Sequence, residues 1–170
     1  MANKEINKLK QLFISRLQVL SHILNVAEKH LGSLDDAVKE RLAPDMHPLA
    51  VQVIFACNQP RGFSQWCQGL AVENLPAGEY SPAELKQLIA ETAAMVDQIQ
   101  EQDAKLDEIK RIGLGPGRYC ELPGRDYVSE YLMPNFYFHI TTSYAIFRHL
   151  GVPLGKADYM AFILPHVRQA

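Results

Sequence analysis

The sequence predicts an all-α fold, an antiparallel four-helix bundle, and three observations carry that expectation. Apolar residues recur at spacings of three and four from Ile6 to Leu24, giving one continuous stripe. Residues 48–70 and 134–150 contain a single charged side chain each, Arg61 and Arg148, so nearly every face of both segments must meet protein. Between them, Ser81, Pro82 and Glu84 open an amphipathic segment with an N-cap, a proline at the first helical position and a capping-box acid.

Taken in order, the first helix runs over residues 4–30, with Gly32 as its C-terminal stop. Ser33 followed by Asp36 reads as the start of a short connecting helix through Leu42. The second helix starts at Pro48, and Pro60 with Gly62 predicts a kink or break near Asn58. Residues 69–78 form a loop. The third helix presents Leu85, Leu88, Ile89, Thr92, Val96 and Ile99 on its buried face and ends near Gln102. From Asp103 to Met133 the periodicity fails, and Gly113, Gly115, Pro116, Gly117, Pro123 and Gly124 interrupt the chain. This long crossover has short extended pieces at residues 106–112 and 118–122, which could pair as a small hairpin. The fourth helix follows from Pro134 and stops at Gly151 and Pro153. Apolar residues Met160 to Leu164 dock the tail on the bundle.

At 170 residues and 19.2 kDa the chain suits one domain. A net charge of −2 and scattered basic residues argue against nucleic acid as a partner. The charged N-terminus argues against a secretory signal, and no window is apolar enough for a membrane span, so a cytoplasmic location with no membrane contact is expected. Cys57, Cys67 and Cys120 are odd in number and widely spaced, which suits thiols in a reducing compartment. Cys57 and Cys67 fall on the apolar second helix, where a buried thiol is inert.

His47, at the mouth of the second helix, and His139, early in the fourth, stand where bundle cores build metal sites. Helical ligands come at i+3 or i+4, and from His139 those positions are Thr142 and Ser143, neutral hydroxyls that bind transition metals poorly. The competing reading is a core histidine bonded to a hydroxyl such as Tyr144 or to a carbonyl. Thr142, Ser143 and Tyr144 are the pocket candidates beside it, and Asp126, Tyr127 and Tyr131 are candidates for the pocket mouth. Asp45 either orients His47 or caps the second helix, capping being favoured. His149 belongs to the fourth helix's C-terminus. Residues 113–117, GLGPG, and 151–156, GVPLGK, lack the strand–turn–helix setting of phosphate loops and read as turns.

The fourth helix NFYFHITTSYAIFRHLG with its VPLGKADY continuation, and the LAPDMHPLAVQV stretch leading into the second, resemble the DinB-like (damage-inducible) superfamily. More closely, they resemble that group's uncharacterised branch, whose members carry a similar FHxTTxYxxxRxxGVPLGKxDY tail. The resemblance implies an up-down-down-up bundle with a long crossover, often a homodimer through helix faces. It also implies one divalent metal ion, Zn, Ni or Fe, held by one histidine of the second helix and two of the fourth. His47 and His139 match two of those positions, and Ser143 stands at the third. Three functions follow as expectations. The first is a small-molecule-binding or stress-related accessory protein with a degenerate metal site. The second is a metal-dependent hydrolase or thiol transferase using His47 and His139. The third is a protein-interaction module.

Overall fold

A computed structural model describes residues 4–100 and 102–168. Four long helices make the bundle: α1 (Lys4–Leu31), α2 (Leu49–Cys67), α3 (Pro82–Asp97) and α5 (Met133–His149). Strands β1 (Ile109–Gly113) and β2 (Tyr119–Pro123) pair antiparallel, with Ile109 opposite Pro123 and Gly113 opposite Tyr119. A single turn, α4 (Gly124–Asp126), and a π-helical segment, Tyr127–Leu132, lead straight into α5, and α6 (Lys156–Tyr159) follows it.

Contacts between helices fix their directions. The start of α1 meets the end of α3, since Lys10 Nζ donates to the Ile99 carbonyl and Lys86 pairs with Glu28, so α1 and α3 run antiparallel. Ser64 Oγ, late in α2, donates to the Met95 carbonyl late in α3, so those two run parallel. Gln52 meets His139 while Trp66 meets Tyr127, which sets α5 antiparallel to α2. The result is the expected up-down-down-up bundle.

Phe13 of α1 is the centre of the core. Its ring lies 5.5 Å from Phe63 of α2 and 5.5 Å from Phe136 of α5, and all three are fully buried. Edge-to-face and tilted aromatic contacts of this kind add to the area they remove from water. Leu85, Ile89 and Val96 close the core from α3. That α2 carries no charge but Arg61 has a structural cause. α3 and α5 flank it, and the loop before α3 is laced over it by Asn58, whose amide holds both the N–H and the carbonyl of Leu75, and by Gln65, which accepts from Glu73.

Several expectations need correction. The connecting helix after Ser33 shrinks to one 3-10 turn, Ala37–Lys39, and the backbone turns extended at Glu40. α2 passes through Pro60 without a break, since burial on both sides outweighs the one lost backbone bond. α3 ends at Asp97, short of Gln102. Helical structure resumes at Gly124, ten residues earlier than Pro134. Pro134 has no N–H for the regular ladder, and the chain before it widens into π geometry, with Asn135 Nδ2 donating to the Tyr131 carbonyl at 2.7 Å. In the tail Phe162 packs on the core, while Ile163 and Leu164 are exposed, so docking is partial.

The hairpin forms around the expected turn, although its first piece is shorter than expected, since Leu106 and Asp107 belong to a 3-10 turn, Asp103–Asp107, and the strand starts at Ile109. Gly115 and Gly117 hold φ of +99° and +70° in the β1–β2 turn, a backbone region open to glycine. GLGPG is therefore a hairpin turn.

Candidate functional site

The histidine site rests on the first turn of α2. Leu49 N donates to the Glu40 carbonyl, and Pro48 is the N-cap residue without a side-chain bond. Asp45 is exposed and makes no capping bond, so the favoured capping role is not found. Gln52 instead turns its side chain back, and Nε2 donates to the His47 carbonyl at 3.1 Å. A carbonyl only accepts, so the nitrogen of this amide must face it and Oε1 must point the other way. Oε1 lies 2.8 Å from His139 Nδ1. His139 Nδ1 therefore carries the proton and donates, leaving Nε2 as a bare acceptor.

Electrostatics agree with a neutral ring. His139 is pushed down from 6.5 to about 4, first by burial and then by repulsion from His47. The Phe55 ring stands between the two histidines, edge-on at 5.2 Å to His47 and 5.4 Å to His139, and Phe138 flanks His139 at 5.2 Å. His47 is exposed and His139 half-buried, so the pair opens on one apolar, aromatic surface.

The remaining candidates are occupied by the backbone. Ser143 is fully buried and its hydroxyl donates to the His139 carbonyl at 2.9 Å. Thr142 Oγ1 donates to the Phe138 carbonyl at 2.8 Å, and Tyr144 Oη reaches the Leu154 carbonyl at 3.4 Å. A resident metal held by three protein side chains does not fit this donor set. Ser143 offers a hydroxyl already spent on the helix, and among the described residues no group of three His, Cys, Asp or Glu side chains can hold an ion.

Tyr127 and Tyr131 lie roughly two turns or more before His139 along the helix, too far to line a mouth there. They stack on each other and border a cavity of about 260 Å³ with Asn58, Lys110 and Ile112. Asp126 is exposed. His149 sits in the last turn of α5, as expected. Cys57 is fully buried and its thiol is pushed up to about 12 by burial, which keeps it inert. Two larger cavities, of about 840 and 830 Å³, open elsewhere, and neither is lined by His47 or His139.

Gln52 was not among the sequence candidates. The signal for it is a long amide inside an otherwise apolar first turn; buried to 3% exposure in the structure, it must find partners on both ends.

The tail motif turns out to be structural. Arg148 donates to the Val152 carbonyl, Tyr144 to that of Leu154, and Thr141 to the Tyr159 hydroxyl. Val152 and Leu154 are buried, and Asp158 accepts from Gly155 N at 2.7 Å and faces His22 Nε2 at 2.8 Å, strapping α6 to α1. Those bonds, the Gly155 amide foremost, hold the Asp158 carboxyl below its ordinary range. The motif is a clasp.

A family model described as "Domain of unknown function (DUF1993)" matches residues 8–160. The chain is also similar to the crystal structure of a DinB family member protein from Shewanella denitrificans. The two share 31% sequence identity over 94% of this chain and 96% of that one, with a TM-score of 0.79. No curated protein matches. This chain belongs to the DUF1993 family of unknown function and is built on the bundle of the DinB family.

Proposed function

We propose that this chain is a small-molecule-binding bundle in which His139 Nε2 serves as a hydrogen-bond acceptor where the superfamily's metal ligand would stand. The observation that carries the reading is the clamp from the His47 carbonyl through Gln52 to His139 Nδ1. It fixes one tautomer of a neutral imidazole and presents the opposite nitrogen on a surface formed by Phe55 and Phe138. A ligand suited to that surface brings an aromatic or aliphatic body and one hydroxyl or N–H donor. The hydrolase or thiol-transferase reading needs a third ligand, and the buried, spent hydroxyl of Ser143 argues against it. A cytoplasmic, stress-related accessory role and a homodimer through helix faces belong to the same proposal. Phe138, 56% exposed beside His139, is the large apolar side chain that supports the latter.

The test uses phenol as probe and nitrogen-15 spectra of the histidine rings. The expected result is a protonated Nδ1 and a bare Nε2 on His139, with Nε2 moving as phenol is added and no such movement in Gln52→Leu. A protonated Nε2 in the free protein, or a His139 ring indifferent to phenol, overturns the proposal.

A further inference from the structure

A second groove, which shares no lining residue with the His139 surface, lies along α1. Its N-terminal half, the π-helical segment and the C-terminal 3-10 turn, Ala161–His166, enclose a groove of about 830 Å³. That volume is within the range of small-ligand pockets. Leu9, Leu12, Leu106, Val128, Phe162 and Pro165 give it an apolar lining.

Charge in the lining is unevenly matched. Arg125 is held by two carboxylates, Glu5 at 3.0 Å and Asp107, so it has no positive charge to spare for a ligand in the groove. Arg16 has no such partner. Its guanidinium lies flat over the Phe162 ring, 3.4 Å from the centroid, and among the described residues it pairs with no carboxylate. Nη1 donates to Ser15 Oγ at 2.9 Å, while Nε is buried with no acceptor. The buried Nε is out of a groove ligand's reach, but a guanidinium half-removed from water keeps its charge poorly solvated, and an anion accepting from its terminal nitrogens would offset that cost. Lys8 adds a second positive charge on the same lining.

We propose that this groove binds a monocarboxylate with an apolar body, the carboxylate accepting from Arg16 and the body lying along Leu9, Leu12, Val128 and Phe162. Arg rather than Lys suits the task because its planar fork meets a carboxylate through two parallel bonds while its face remains stacked on an aromatic ring. The site is independent of His139 and stands or falls separately from it.

The probes are decanoate, decyltrimethylammonium with the same tail and opposite charge, and acetate with the charge and no tail. Calorimetry is expected to show decanoate binding, with the cationic amphiphile and acetate each weaker by about tenfold or more. Arg16→Gln is expected to erase the preference for decanoate over the cation, and methyl shifts on decanoate addition are expected at Leu9, Leu12 and Val128. If Arg16→Gln does not fold, Ser129→Trp serves instead, because Ser129 is an exposed rim residue and an indole there covers the groove and weakens decanoate similarly. Equal binding of the two amphiphiles, unchanged decanoate affinity in the folded variant, or shifts confined to other residues would overturn the proposal.

Discussion

Acid should unfold this protein partly through one histidine, and the size of the effect follows from where that ring sits. An unfolded His139 titrates near 6.5, whereas the folded ring titrates near 4. The folded value is the lower one, so the unfolded chain takes up the proton first. The stabilisation is complete above pH 6.5 and drains away as pH falls toward 4. The gap between those values is worth about 3.4 kcal/mol at 1.36 kcal/mol for each pH unit. The ring is only half-buried, and solvent screens it, so the expected loss between pH 7.5 and pH 4.5 is roughly 1–2 kcal/mol. His139→Asn is the control, because its amide N–H can still donate to Gln52 but does not titrate. Urea denaturation of both proteins at the two pH values isolates the term, since every other group titrates in both. Wild type should lose roughly 1–2 kcal/mol more than His139→Asn. Equal losses would refute a half-buried, neutral His139.

Gly124 is buried where a Cβ would meet the Leu106 carbonyl oxygen and the Trp66 ring at 2.7 Å. Gly124→Ala should therefore lower stability by about 1–3 kcal/mol in chemical denaturation, with the largest chemical-shift changes at Trp66. Asn58→Ala leaves the Leu75 N–H and carbonyl without their partners. It should cost about 1–3 kcal/mol and speed amide exchange in the loop between α2 and α3 ahead of the core. Ser81→Ala removes the capping hydroxyl that accepts from Glu84 N, for a loss of about 1 kcal/mol in thermal or urea unfolding.

How far the sequence could be read depended on whether a residue's surroundings were local. Apolar spacing along α1 and the Ser81–Glu84 box are written within single turns of chain, and both stand where expected. The uncharged stretches pointed to central helices for the same reason. What escaped was decided between distant segments. Whether Pro60 breaks α2 depends on the helices and loop laid against it. The early restart of the helix at Gly124 depends on the hairpin and on Trp66, against which that glycine sits. At the site, His47 and His139 were legible as residue types in suggestive places, and Ser143 as a weak third. That Ser143 would be spent on the His139 carbonyl follows from local i to i−4 geometry and was within reach. The bridge through Gln52 spans 87 positions and was not. The tail motif shows a different limit: it is recognisable because it builds a clasp, and recognisability of that kind carries fold rather than chemistry.

His139 is proposed to present its bare nitrogen to a ligand and not to a resident metal. Elemental analysis of the purified chain, after exposure to zinc, nickel and ferrous iron and removal of excess, tests it most directly. The expected result is no stoichiometric metal and no difference between wild type and His139→Ala. One equivalent retained by wild type and lost from His139→Ala would contradict it.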